Sequence, residues 1–281
     1  FMDLRELLKD KLSEEELKFV PRSFDIIGSK GKAVAIVKIR REIESKDKLI
    51  AEAIMKINKN VKSVLKKLSG RIGKYRLYNL ELIAGDENTE VIHKEYGYII
   101  KVDPRKAYFS PRESTERQRI ASQAKPNEII MLMFAGTGVY GIAICKKQPN
   151  VGKVIAIEIN PDAFYYMQEN IRINKLSNKI IPILGDVEEK CKDYFGICDR
   201  VIMPFATEGW KHLETAIKCL KQNGILHFYF ISSEERLFQD AIEILIKEVE
   251  KLGRKVEVLS KRIVGRFGVR LYKVCIDAKI I

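Results

Sequence analysis

An α/β fold is what this chain predicts: a mostly parallel sheet with helices on both faces, behind a smaller mixed α+β module. Three observations carry the expectation. From Ser110 onward, short apolar runs alternate with helical patterns, which is the rhythm of βαβ units. A glycine-rich loop, "FAGTG" (Phe134–Gly138), stands between the first of those strands and its helix. Before residue 104 that rhythm is absent, so the module is placed at 2–105 and the larger domain at 106–281.

Taken in order, "LRELLKDKLSEEELKFV" (Leu4–Val20) has apolar residues at helical spacing and reads as one or two short helices, with Ser13 as the cap of the second. "SFDIIG" and "AVAIVKI" read as strands around the turn Ser29–Lys32. A helix is expected from about Asp47 to Lys59, followed by "SVLKKL" and by strands in "YRLYNLELIAG" and "EVIHKEYGYIIKVD". Ser110-Pro111-Arg112-Glu113 has the signature of a helix start: Ser110 can cap, Pro111 suits the first helical position and Glu113 can complete a capping box. Arg112 and Glu116 lie four apart on that helix, a spacing that allows an ion pair. The βαβ units then run through "EIIMLMFAGTGVYGIAICKK", "KVIAIEINPDAFYYMQENIRINK", "IIPILGD", "DRVIMPF" and "HLETAIKCLKQNGILHFYFI". The last two runs, "KVEVLSKRIVGRF" and "RLYKVCIDAKI", read as a terminal hairpin forming an antiparallel edge.

Length and charge bound the function. At 281 residues the chain can bury a sizeable core. Its formal charge of +13 favours a polyanionic partner through phosphate contacts and counterion release. The five cysteines (Cys145, Cys191, Cys198, Cys219 and Cys275) are scattered, without the close pairs that zinc uses, and read as reduced core thiols of a cytoplasmic protein. No metal is expected. No apolar run approaches the roughly 18 residues of a membrane span. Charges at Asp3, Arg5 and Glu6 argue against a secretory signal, and Phe1 ahead of Met2 is set aside as an addition.

The glycine loop points to a bound cofactor, because glycines in a strand-to-helix turn let backbone approach a ligand and a helix N-terminus suits negative charge. The letters Gly136-Thr137-Gly138-Val139-Tyr140-Gly141 also fit a nicotinamide fingerprint, and a tight turn that binds nothing is the plain alternative. Spacing separates these. Glu158 ends the second strand about 20 residues beyond the loop, where an acid can hold two ribose hydroxyls. Gly185 and Asp186 end the third strand, where an acid can receive an adenine amino group. The histidines, His93, His212 and His227, read as surface or core residues, leaving no hydride-site histidine. A glycine loop, then Glu158, then Asp186 resembles the S-adenosylmethionine methyltransferases with a Rossmann-like sheet. That resemblance implies cofactor contacts from Phe134, Ala135, Gly136, Thr137, Gly138, Glu158, Ile159, Gly185, Asp186 and Val187.

Loop and entry helix together give a sharper likeness. "KAYFSPRESTERQRIA", "FAGTG", "AIEINPDAF…ENIRINKL", "IIPILGDV", "DRVIM" and "GILHFY" resemble, in that order, the archaeal and eukaryotic tRNA methyltransferases that act on N1 of guanosine 37 beside the anticodon. The likeness covers roughly residues 70 to 281 and, weakly, "SFDIIG". N1 of guanine carries a proton, so its methylation needs a base, and the resemblance assigns that role to Glu116. It assigns to Arg76 the stabilisation of charge building on guanine O6. Tyr108 and Arg112 match residues that orient the base and the cofactor. The bland reading of Glu116 is a surface pair with Arg112. Two departures stand out: Leu132 replaces the acid the family has at the end of the first strand, and Pro204-Phe205-Ala206 replaces its asparagine-leucine-proline. That segment normally lines the base pocket, so Pro204 and Phe205 are assigned to substrate.

Because of the second departure two sister activities stay open: methylation at C7 of the tricyclic wyosine precursor made from the same guanosine, and transfer of the aminocarboxypropyl group of the same cofactor. A noncatalytic RNA-binding protein with a degenerate methyltransferase fold is the alternative of another class. The partner implied is the anticodon arm of tRNA, met by one copy of the chain, with the basic residues Lys62, Lys66, Lys67, Arg71, Lys74, Lys101, Arg105 and Lys106 clustered in the small module and junction. Tyr108, Phe109 and Phe205 are rings that can sandwich an extruded base. The chain reads as too short at its start for the further N-terminal domain with which some family members inspect tRNA shape.

Overall fold

A computed structural model of the chain describes residues 3–73, 75 and 77–281. It divides into two compact units, one ending at Arg112 and one running from Glu113 to Ile281.

The N-terminal unit opens with helices α1 (Leu4–Leu8) and α2 (Glu14–Leu17), and α2 begins in a complete capping box between Ser13 and Glu16. Strands β1 (Asp25–Ser29) and β2 (Lys32–Val37) form the hairpin expected around the Ser29–Lys32 turn. Helix α3 (Asp47–Ile57) then crosses over to β3 (Val61–Ile72), which pairs parallel to β2 and antiparallel to β4 (Leu77–Gly85). A separate antiparallel hairpin joins β5 (Val91–Glu95) to β6 (Tyr98–Val102). The core is one apolar cluster in which Leu4, Leu8, Ile50 and Ile54 of the helices pack on Ala35, Val37 and Val64 of the sheet.

In the C-terminal unit, α4 (Ser114–Ala121) follows a 3₁₀ turn at Pro111–Glu113, so the regular helix starts three residues later than the Ser-Pro signature indicates. Glu113 turns its carboxylate to Lys273 at 3.0 Å. Strands β7 (Ile129–Leu132), β8 (Lys153–Glu158), β9 (Ile180–Leu184), β10 (Cys198–Met203) and β11 (Leu220–Ser233) alternate with α5 (Val139–Lys147), α6 (Pro161–Ile173), α7 (Val187–Lys190) and α8 (Leu213–Cys219). After α9 (Gln239–Lys251) come β12 (Val256–Gly268) and β13 (Leu271–Ile280). The order across the sheet is β12-β13-β11-β10-β7-β8-β9. Five strands run parallel, and β13 is antiparallel to both its neighbours, which makes the expected edge hairpin. β8 and β9 lie to one side of β7, and β10 and β11 to the other. Such a reversal of strand order opens a crevice at the strands' carboxyl ends, where ligands of open α/β sheets bind.

All five cysteines are buried free thiols. Among the described residues, no helix is long and apolar enough to cross a membrane.

Candidate active site

The glycine loop leaves β7 at the strand reversal. Gly136 (φ 56°) and Gly138 (φ 78°) hold left-handed backbone, and a side-chain carbon at Gly138 would meet Met167 at 2.9 Å. Gly138 is the N-cap of α5, so the loop delivers backbone N–H groups into the crevice. Asn170 of α6 fixes the loop from behind by donating to the Thr137 carbonyl at 3.1 Å. The Thr137 hydroxyl is buried without a hydrogen-bond partner among the described residues. Such an atom fits a loop whose remaining partner is a ligand.

Glu158 closes the loop from β8. One carboxylate oxygen accepts the Gly136 N–H at 2.6 Å and the other the Asn160 N–H at 2.8 Å. Ile159 N–H faces the same carboxylate. Burial raises the Glu158 carboxyl above the usual carboxylate range, against the backbone N–H groups that pull it down. The three backbone N–H groups take three of the carboxylate's four lone-pair sites, leaving one for the neighbouring hydroxyls of a ribose to share. The Gly185 N–H donates to the Glu158 carbonyl at 2.9 Å, so the third strand's glycine lies beside the acid. Exposed Asp186 uses one oxygen to cap α7 through the Glu188 N–H at 2.9 Å, while Val187 is buried beneath it. Leu132, in place of an acid, is buried in the core against Gly141.

An aromatic wall stands beside the loop. Phe134 adopts φ 55°, a conformation that costs a residue with a side chain about 1 kcal/mol or more. Its ring meets Phe205 at 5.2 Å and His212 at 5.3 Å between centroids. His212 is held in turn by Glu188, whose carboxylate accepts from Nδ1 at 2.5 Å. Pro204 and Phe205 follow β10 directly and are half-buried, so the departed segment lines the same carboxyl edge as the loop.

Glu116 is not a surface residue. It is 4% exposed, and its Oε1 accepts from the Tyr229 hydroxyl at 2.6 Å and from Arg119 Nη2 at 2.7 Å. Oε2 accepts from Arg119 Nε at 2.8 Å and faces Arg262 Nε at 3.4 Å. The Tyr229 hydroxyl also accepts from Tyr140, in the first turn of α5, at 3.4 Å. Two tyrosines therefore link Glu116 to the helix that the glycine loop starts. Its ion-pair partners are Arg119, one turn on, and Arg262, and this corrects the surface pairing that the spacing of Arg112 and Glu116 allowed.

Behind Glu116 the network continues inward. Arg119 pairs with Asp277, which also accepts from Gln123 at 3.1 Å and Ser260 at 2.7 Å. Burial alone would raise the Asp277 carboxyl, but His227 and Arg119 hold it well below the carboxylate range. Arg200 Nη1 lies 2.7 Å from His227 Nε2, and a guanidinium only donates, so Nε2 accepts and Nδ1 donates to Asp277 at 2.7 Å. Burial lowers the His227 value, in keeping with a neutral ring. Ligand atoms of His227, Cys275 and Asp277 lie within 4.8 Å of one another, but the guanidinium groups on His227 and Asp277 oppose a cation there.

The remaining candidates belong to the N-terminal unit. Arg112 is largely exposed and pairs with Asp25, and half-buried Tyr108 lines a cleft with Asp25, Lys67 and Tyr78. Phe109 is buried against His93 at 5.1 Å, the ordinary core role. Arg76 and Lys74 lie outside the described residues. Lys66 departs from its reading as a phosphate contact: it is buried, with Glu81 at 2.9 Å, Asp47 at 3.0 Å and Glu44 at 3.3 Å around its ammonium. Lys101 pairs with Glu90 at 3.1 Å, whereas Lys62 and Lys106 are exposed.

Sequence reasoning missed Asn160, Asn170, Tyr229, Arg119, Asp277 and Arg262. Asn160 had a readable signal, since an asparagine before Pro161 is a helix cap, and its side chain accepts the Asp162 N–H at 3.0 Å. The others meet only in the fold.

Comparison with known proteins extends these findings. Residues 91–259 match the TRM5/TYW2 methyltransferase domain, and residues 4–89 match the TYW2 N-terminal domain. The tRNA (guanine(37)-N(1))-methyltransferase Trm5b of Pyrococcus abyssi is 40% identical over 268 residues, covering 95% of this chain and 77% of that protein. The tRNA(Phe) (4-demethylwyosine(37)-C(7)) aminocarboxypropyltransferase of Pyrococcus horikoshii is 31% identical over 280 residues, covering 99% and 96%. The solved structure of aTrm5 in complex with tRNALeu superposes with a TM-score of 0.86 at 36% identity, covering 99% of this chain and 78% of that one.

Proposed function

The chain belongs to the TRM5/TYW2 methyltransferase family, and on that premise we propose that it transfers a methyl group from S-adenosylmethionine to N1 of guanosine 37 in tRNA. The Glu158 brace carries this reading: a buried carboxylate held by three backbone N–H groups, with one lone-pair site in reserve. Glu158 would hold the ribose hydroxyls, Asp186 the adenine amino group, and Thr137 with the loop N–H groups the rest of the cofactor. S-adenosylmethionine, when bound, supplies an electrophilic carbon on sulfur. Glu116 accepts the N1 proton as the nitrogen attacks, and Phe134 and Phe205 offer ring faces to the extruded base. Arg76 stabilises charge on O6, and Tyr108 and Arg112 orient base and cofactor. The N-terminal module contacts the anticodon arm, and one copy of the chain acts alone in the cytoplasm.

A second reading has two observations in its favour. Residues 4–89 match a TYW2 N-terminal domain, and Pro204-Phe205-Ala206 departs from the segment of the N1 methyltransferases. Under it the chain transfers the aminocarboxypropyl group to the tricyclic base.

Both readings are separated by their products. Incubation with S-adenosylmethionine and tRNA carrying guanosine 37, followed by nucleoside mass spectrometry, is expected to give 1-methylguanosine and S-adenosylhomocysteine. Aminocarboxypropyl transfer instead leaves methylthioadenosine, and its appearance with the tricyclic substrate alone would overturn the first reading. Glu158→Gln is expected to weaken S-adenosylmethionine binding about 10- to 100-fold by calorimetry, from the roughly 1.5–3 kcal/mol of hydrogen bonds to a charged group. An unchanged Kd in a folded variant removes Glu158 from the cofactor site.

A further inference from the structure

Glu116 is neutralised from two sides that differ in kind. From within, Arg119 holds both oxygens and is itself anchored to Asp277. From without comes Arg262, on the edge strand β12, with its side chain 48% exposed and its Nε 3.4 Å from Oε2. A carboxylate oxygen offers two lone-pair directions. Those of Oε1 are filled by Tyr229 and Arg119, and Oε2 has Arg119 on one, so Arg262 stands on the approach to the other.

The surroundings of Arg262 indicate what draws it away. Between Leu259 and Lys273 the hairpin carries five cations (Lys261, Arg262, Arg266, Arg270 and Lys273) and no acid. Register irregularities flank Arg262, between Val258 and Ser260 and between Ile263 and Gly265. Bulges and charges also protect an edge strand from pairing with another chain. Edge protection explains positive charge on β12, but not the placing of one guanidinium against a buried carboxylate.

We propose that Arg262 is a substrate-released guard of Glu116: an RNA phosphate seated on the β12–β13 hairpin takes the guanidinium, and Oε2 is then open to the purine proton. The inference rests on the reading of Glu116 as the base. An ion pair with one half-exposed partner is weak and screened by salt, so it can exchange for a phosphate, whereas the two-pronged buried contact of Arg119 stays. With the guard in place, the second lone-pair direction of Oε2 is closed to the purine proton. Charged and titratable groups around Glu116 are Arg119 from α4, Tyr140 from α5, Tyr229 from β11, Arg262 from β12, and Cys275 and Asp277 from β13.

The test is the pH dependence of methyl transfer to a tRNA transcript, since kcat/KM reports groups in the free enzyme and kcat those in the complex. In the wild type the acid limb of kcat is expected at higher pH than that of kcat/KM, because Arg262 has left Glu116 in the complex. In Arg262→Gln the kcat/KM limb rises to meet the kcat limb, which stays in place. KM rises as well, and its dependence on log salt flattens by about one. Arg262→Lys, which keeps a cation, restores the salt dependence. Movement of both limbs together in Arg262→Gln, or of neither, overturns the guard, as does an unchanged salt dependence. A wild-type rate in Glu116→Gln would instead remove the base itself, so the two failures are told apart.

Discussion

Glu116→Gln is expected to slow single-turnover methyl transfer about 10²-fold or more, the usual scale for loss of a general base. The amide keeps the shape of the carboxylate, but its nitrogen has no lone pair for the N1 proton and presents hydrogens to Arg119 or Tyr229. Both of those already donate to Glu116, at 2.7 and 2.6 Å, so the substitution also sets donor against donor in a buried site. A drop in stability is thus expected beside the drop in rate, and the two must be separated. Calorimetric titration with S-adenosylmethionine does this: among the described residues, the hydrogen-bond partners of Glu116 are Tyr229 and Arg119, outside the Gly136–Glu158 brace, and a folded variant is expected to retain cofactor affinity. A variant that binds cofactor normally and methylates at the wild-type rate removes Glu116 as the base.

How much of this was legible in the sequence depends on the range of each interaction. The strands and helices of the sheet were readable because their signals are local: apolar periods of two and near four, glycines at the turns, a cap at Asn160-Pro161. The glycine loop and Glu158 were readable too, since both follow directly from strands whose order the βαβ rhythm fixes. What surrounds Glu116 was not. Tyr229 is 113 residues away in sequence, and Asp277 is 158 from Arg119, so no local pattern connects them. The spacing rule on the helix allowed Arg112 for Glu116, and tertiary burial chose Arg119. Lys66 failed for a related reason: a lysine in a basic stretch looks solvated, yet three acids drawn from the turn before α3, from α3 and from β4 converge on it. The Phe134–Phe205–His212 wall lies between these cases, for Phe205 was singled out by a departure from a resemblance, and His212 had no signal.

The inner end of the same network gives the largest expected change in stability. Arg200 is 2% exposed, and it donates twice to Glu128 at 2.9 Å, once to the Gln123 carbonyl at 2.8 Å and once to His227 at 2.7 Å. Arg200→Ala leaves buried Glu128 and the part-buried Gln123 carbonyl without that donor, and breaking a buried pair from one side costs about 3–5 kcal/mol. Replacing both partners, as Arg200→Met with Glu128→Leu, should recover most of that loss, because no charge is then stranded. Denaturant unfolding of the single and double variants checks this, and a single variant within about 1 kcal/mol of the wild type would sink it. The consequence reaches the candidate base. Arg200 sets the tautomer of His227, His227 donates to Asp277, Asp277 anchors Arg119, and Arg119 holds Glu116. Methyl transfer by Arg200→Ala, measured well below its melting temperature, should fall further than the folded fraction does, since each link lost widens the set of positions that the Glu116 carboxylate can occupy.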